Sequence, residues 1–197
     1  GLFGGSATPA TFTGNGTGEN IVGGAGNDTL SGGGGADVIR GGAGDDLITI
    51  GDATFFRIDA GNGQDTLLVA GFDLDLTAIS NLALKDMETI NMAGVGNNTL
   101  TLSISDLLDL DGSPNAALAA SGFVGDLSHN SLVVMGLAGD AVDLAASGAG
   151  DVGEGGAWTL AGSTTIGANT YDVYNFLDGA ALLGTIAVDD DMSVTIV

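Results

Sequence analysis

Near the start of the chain, single large aliphatic residues recur every nine positions, Leu30, Ile39 and Ile48, each set between glycine-rich stretches. One apolar side chain per short extended run suits a very short strand that sends one residue into a narrow core. Each unit therefore predicts one strand and one tight loop, and two units complete one turn of a flattened coil. After Leu68 the period fades and short β-type runs take over, predicting strands at residues 66–69, 88–92, 99–105, 131–135, 158–161, 170–175, 181–187 and 192–197. Thr99 to Ile104 alternates polar with apolar residues, as a strand with one buried face does. Helical turns are expected only at Ile104–Leu110, with Asp106 near its start, and at Ala116–Ala120. The fold class read from this pattern is all-β, a parallel roll followed by a β-rich C-terminal cap.

The repeating unit has a fixed chemistry. Gly23–Ser31, Gly32–Arg40 and Gly41–Thr49 follow one another without a gap, each with the form G-G-x-G-x-D-x-U-x, where U is a large aliphatic residue. Glycine at the first, second and fourth places lets the loop bend through conformations that a β-carbon forbids, turning carbonyls inward. Asp28, Asp37 and Asp46 fill the sixth place. Carboxylate and carbonyl oxygens are the hard donors that Ca²⁺ takes in preference to nitrogen or sulfur. The expected ligands are these three acids with the carbonyls of Gly23 and Ala25, Gly32 and Gly34, and Gly41 and Ala43. Residues 14–22 form a degenerate copy with Glu19 in the acid place, and residues 60–68 a better one with Asp65. Residues 50–59 carry Phe55 where the acid should stand, which predicts a strand without a metal loop. Alternation places Glu19 with Asp37 on one edge, and Asp28, Asp46 and Asp65 on the other. Asn27, Asp45 and Asp52 are further candidate oxygens.

This nonapeptide resembles the calcium-binding repeat of the RTX (repeats-in-toxin) family over residues 14–68. The resemblance implies a parallel β-roll, folding dependent on calcium, about two to four bound ions in this segment, and export by type I secretion machinery. Glu19, residues 50–59 and Ala60, which replaces a first-place glycine, depart from the pattern at the outer sites. A flexible glycine linker would share the composition, but not three in-phase copies with an aliphatic eighth place.

Charge sharpens the picture. Twenty-five acids face three bases, for a formal charge of −22, and no Lys or Arg follows Lys85. Without a basic stripe to neutralise phosphate, nucleic acid is excluded as a partner, and so is attraction to an anionic membrane. Stacked carboxylates a few Å apart repel by about 1 kcal/mol in water and more in a drier site, so the loops should stay open until a cation arrives. Extracellular modules bind calcium with dissociation constants of about 10⁻⁴ to 10⁻³ M. That range predicts a chain unfolded inside the cell and folded outside it. There is no cysteine for a disulfide framework or a thiolate site, and no apolar run long enough for a transmembrane span. The chain opens Gly1-Leu2-Phe3 and not with methionine, as expected of a piece of something longer. Residues 1–13 read as a linker or the frayed start of the roll, residues 14–68 as the roll, and residues 69–197 as the cap.

In the cap, Met87 to Met92, Asn98 to Leu110, Asn130 to Leu144 and Tyr171 to Tyr174 follow an order that resembles the C-terminal module of large type I-secreted surface adhesins. That resemblance implies a terminal unit covering the open end of a roll, on a protein displayed at or released from a bacterial surface. Trp158, Tyr171, Tyr174 and Phe176 are expected to form its core rather than a sugar platform. Asp109 to Asn115 is a second candidate calcium loop, lacking the terminal Glu of an EF-hand. Asp73 and Asp75 read equally as solvent-facing strand residues. Asp189-Asp190-Asp191 before an apolar ending reads either as a secretion signal or as a charged turn. Catalysis has little support: His129, the only histidine, lies in a polar turn, and no H-E-x-x-H or G-x-S-x-G occurs. The expectation is a non-catalytic calcium-binding structural module, extracellular or at the cell surface, in adhesion or surface-layer-like assembly. The alternatives are a domain binding a glycan or a cell surface, and the non-catalytic end of a secreted hydrolase. Free strand edges leave self-association open.

Overall fold

The computed structural model describes residues 1–5, 7–110, 112–123, 130–146 and 155–197. Its first eight strands are β1 (Leu2–Phe3), β2 (Thr11–Thr13), β3 (Asn20–Gly24), β4 (Thr29–Ser31), β5 (Val38–Ala43), β6 (Leu47–Ile50), β7 (Arg57–Asn62) and β8 (Thr66–Val69). They fall alternately into two parallel sheets, odd strands in one and even strands in the other. Both sheets keep a register that stacks like on like. Ile21 pairs with Ile39 and Ile39 with Ile58, while Leu30 pairs with Ile48 and Ile48 with Leu67. All six are fully buried, each contributing about 1.5–3 kcal/mol of hydrophobic stabilisation. The eighth-place aliphatics of both sheets meet in one seam. Residues 1–13 are the first rungs of the roll: Leu2 pairs with Ile21 and Phe12 with Leu30.

The remaining strands are β9 (Leu74–Asp75), β10 (Leu84–Lys85), β11 (Thr89–Asn91), β12 (Thr99–Ser103), β13 (Asn130–Met135), β14 (Ala141–Ala145), β15 (Ala157–Ile166), β16 (Asn169–Asp178), β17 (Ala181–Asp189) and β18 (Ser193–Ile196). The odd-numbered sheet ends at β10, and a third parallel sheet of β9, β12, β14 and β18 takes over opposite the even-numbered one. The even-numbered sheet runs on without a break, β8 to β11 to β13 to β17, all parallel. One apolar cluster extends from Ile21 to Met192. What changes after residue 69 is therefore loop chemistry and rung length, while the coiled parallel plan persists.

Among the described residues, antiparallel pairing appears only at the end of this sheet, where β15, β16 and β17 form a meander. Trp158 meets Phe176 edge to face, ring centroids 5.2 Å apart. Both are buried with Tyr171, while Tyr174 is half-buried. A second, small cluster of Leu118, Val133, Tyr171, Val173 and Ala187 lies apart from the main core.

Two helices, α1 (Ile104–Leu110) and α2 (Ala116–Ala120), occupy the positions expected from the sequence. The strand expected over 99–105 stops at Ser103, because Ser103 begins the helix: its Oγ accepts the Asp106 amide at 3.3 Å, and Asp106 accepts the Ser103 amide at 2.7 Å. Asp75 is an exposed strand residue, as expected, and has a second role. It accepts from both the amide and the hydroxyl of Thr77, capping a short 3₁₀ turn at Leu76–Ala78.

Candidate metal centre

The sixth-place acids are stacked by backbone hydrogen bonds that run from one coil to the next. Asp28 donates its amide to Asp46 Oδ1 at 2.7 Å, Asp46 donates to Asp65 Oδ1 at 2.8 Å, and Ala10 donates to Asp28 Oδ1 at 2.7 Å. On the opposite edge, Glu19 donates to Asp37 Oδ1 at 2.8 Å. The structure thus brings Asp28, Asp46 and Asp65 together on one edge and Glu19 with Asp37 on the other, the division that alternation of repeats requires. The second column stops at Asp37, because the register that pairs Val38 with Arg57 sets exposed Phe56 in the next acid place, with Phe55, the residue expected there, buried one position earlier. There the Asp37 carbonyl instead accepts the amides of Phe56 and Arg57.

In the longer column each aspartate uses only one oxygen in this way. Oδ2 of Asp28, Asp46 and Asp65 is buried and has no hydrogen-bond partner. A buried, unpaired carboxylate oxygen costs several kcal/mol unless a cation or donor meets it. The same atoms lie against glycine. A β-carbon on Gly23 would stand 2.3 Å from Asp28 Oδ2 and 2.6 Å from the Gly41 carbonyl oxygen. One on Gly41 would stand 2.2 Å from Asp46 Oδ2 and 2.3 Å from the Ala60 carbonyl oxygen. Gly32 gives Asp37 Oδ2 the same room, at 2.1 Å. First-place glycine is thus required by the carboxylate, while second-place Gly42 is required by the chain: its φ is +122°, and a β-carbon there would fall 2.0 Å from the Gly24 carbonyl oxygen.

The other expected ligands divide. Asn27 and Asp45 form a parallel column of their own, with Asn27 Oδ1 accepting the Asp45 amide at 3.0 Å and Asp45 Oδ1 accepting the Gln64 amide at 2.9 Å. Asp52 accepts from the amide and hydroxyl of Thr54, and its Oδ2 lies 3.2 Å from where a β-carbon of Gly34 would stand. Ala25 is exposed, and Gly34 and Ala43 are half-buried, at the outer turns of their loops. In the second candidate loop Asp109 accepts from Asn81 and Asn115 caps α2, whereas Asp111, like His129, lies outside the described residues.

Electrostatics follows burial. Asp65 is pushed up to about 7, chiefly by burial, with Glu88 and Asp46 adding repulsion. Burial also raises Asp46, Asp37 and Glu88. Glu19 is held below the usual carboxylate range, first by the Thr17 hydroxyl. Among the described residues no three acidic or histidine side chains converge on one point. Any ion held here must therefore take backbone carbonyls beside its carboxylates, and the loops supply them: a carboxylate Oδ2 from one coil and a first-place carbonyl from the next approach the same spot. All donors are oxygen, the set that suits a hard divalent cation of flexible coordination.

Glu88 is the member that the nonapeptide pattern does not find. Its Oε2 accepts the Asp65 amide at 2.7 Å, continuing the column by one coil, although it stands 23 residues on where the earlier steps are 18 and 19. The signal is the triplet entering the strand. Glu88-Thr89-Ile90 repeats the acid, spacer and aliphatic order of Asp28-Thr29-Leu30 and Asp65-Thr66-Leu67. Asp140-Ala141-Val142 repeats it in the third sheet, where Asp140 Oδ1 accepts the Asn98 amide at 2.9 Å and Oδ2 accepts the Leu137 amide at 2.9 Å. With both oxygens satisfied, Asp140 holds its coil without calling for a cation.

Fold and loops together define a calcium-seeking parallel β-roll. Residues 13–48 match the family profile of the RTX calcium-binding nonapeptide repeat, in four copies. These residues therefore carry RTX-type nonapeptide repeats, and repeats of that kind bind calcium. No curated protein and no solved structure gives a significant match to the chain.

Proposed function

We propose that the chain is a structural module that folds when calcium fills its loop column outside the cell, as part of a secreted or cell-surface bacterial protein engaged in adhesion or surface-layer-like assembly. The observation that carries this reading is the row of three buried aspartate oxygens without partners, Asp28, Asp46 and Asp65. Left charged and unpaired they oppose compaction, and a divalent cation reverses the sign of that contribution. Cytosolic calcium lies well below the range in which extracellular modules bind, so the same chain stays unfolded and exportable before secretion. Type I machinery suits that requirement.

The module is read as non-catalytic. The repeat acids hold coil-to-coil ladders, and the sequence offers one histidine and no cysteine. Calcium titration followed by circular dichroism, with Mg²⁺ as control, tests the reading. A cooperative gain of β signal between about 10⁻⁴ and 10⁻³ M Ca²⁺, absent with Mg²⁺, is expected. A full native spectrum in chelator would end it. Retention of the calcium-loaded chain on a glycan array would replace the scaffold role with a binding one.

A further inference from the structure

We propose that the column holds one more calcium ion than the nonapeptides account for, between Asp65 and Glu88, where the last glycine loop meets the segment leading into α2. The inference rests on the calcium reading above and extends it beyond residue 48, the end of the family match.

Asp65 is fully buried, and its Oδ2 has no partner. As in Asp28 and Asp46, its Oδ1 takes the amide of the preceding coil, although the first place of its repeat is Ala60 and not glycine. In those earlier coils the next glycine loop brings a first-place carbonyl to the free oxygen. After Asp65 no such loop follows. The chain turns instead through the tight corner Lys85-Asp86-Met87-Glu88, where Asp86 is the one non-glycine residue with positive φ among those described, at +57°. Glutamate carries one more methylene than aspartate, and that reach lets Glu88 meet the Asp65 amide from the shorter corner.

Glu88 is itself buried, at 1% exposure. Its Oε1 lies against Gly112, 2.2 Å from where a β-carbon would stand, and its carboxylate also accepts a backbone hydrogen bond from Ser113, so the unpaired oxygen of this rung is that of Asp65 alone. Two buried carboxylates in adjoining coils, one with an orphan oxygen, form an anionic pair that the protein does not neutralise: the only described ion pair is that of Arg57 with Asp59. Removing both charges from water without compensation is costly, and an oxygen-seeking divalent cation supplies the missing charge. Position adds a consequence. The Glu88 carbonyl accepts Asn115 Nδ2 at 2.6 Å, and Gln64, beside Asp65, accepts the Ala116 amide at 2.6 Å. An ion at this rung therefore fastens the start of α2 to the roll.

The test is a count of calcium bound by the full chain, by equilibrium dialysis and calorimetry, in wild type, Glu88→Gln, Asp65→Asn and the double variant. Both substitutions keep an oxygen acceptor for the neighbouring amide and remove only the charge. The expected result is one ion fewer in each single variant and no further loss in the double. An unchanged count with unchanged affinity in Glu88→Gln would overturn the proposal. Should Glu88→Gln not reach the native circular dichroism spectrum, Asp65→Asn decides alone, and an unchanged count there overturns it equally. A wild-type chain that binds no calcium would instead remove the reading on which this one rests.

Discussion

The amide of Asp28 donates to Oδ1 of Asp46, 18 residues further along, at 2.7 Å, while Oδ2 of the same Asp46 is buried without a partner. One oxygen holds the coils in register and the other stands ready for a cation, so the two roles of a sixth-place acid can be separated by mutation. Asp46→Asn keeps the acceptor and loses the charge. It is expected to weaken calcium binding at that loop while removing a buried charge that opposes folding of the calcium-free state. Asp46→Ala also strands the Asp28 amide, adding about 1–3 kcal/mol of destabilisation. Calcium titrations and urea denaturation of the two variants side by side check the separation.

Gly42 offers a test of the loop alone. At φ +122°, with the Gly24 carbonyl oxygen 2.0 Å from the place a β-carbon would take, Gly42→Ala must distort two stacked loops. A loss of roughly 1–3 kcal/mol from backbone strain is expected even in saturating calcium. Urea denaturation at high calcium reads it directly, and an unchanged midpoint would refute the close approach of these loops.

Stability should depend on pH with opposite slopes in the two metal states. Burial raises Asp65 to about 7, and raises Asp37, Asp46 and Glu88 as well, so the folded chain binds protons more tightly than the unfolded chain. In calcium-stripped protein that stabilisation is fully present below the ordinary aspartate value of 3.8 and is lost as pH rises through about 7. Calcium requires the deprotonated carboxylates, so its stabilising effect grows over the same interval. Denaturation of stripped and loaded protein at pH 5 and pH 8 checks both signs.

Asn115 couples α2 to the roll. Its Oδ1 accepts the Leu118 amide at 3.0 Å as the helix cap, and its Nδ2 donates to the Glu88 carbonyl at 2.6 Å. Asn115→Ala removes both bonds and is expected to cost about 1–3 kcal/mol, more than a solvent-exposed cap alone. Thermal unfolding in calcium measures the loss, and Asn115→Ser, which restores a capping oxygen only, should recover part of it.

What the sequence determined by itself is the local unit. A nine-residue period with glycine, acid and aliphatic in fixed places leaves one way to build a loop and a one-residue core. From it follow the alternation of sheets, the two acid edges, the break in the second acid column, though one residue later than the period places it, and both short helices, whose caps are local. Tertiary structure decided what lies across coils. The continuation of the parallel plan beyond residue 69 depends on strands that pair at irregular separations, β11 with β13 and β12 with β14, and no fixed period announces such pairing. Glu88 entered the acid column because a shorter corner and a longer side chain compensate each other in space, an equivalence that exists only once the backbone is folded. Charge neutralisation, likewise, is settled by which oxygens remain unpaired after packing: Asp140 and Asp65 look alike along the chain, and only the coils around them distinguish a satisfied carboxylate from one that needs a cation.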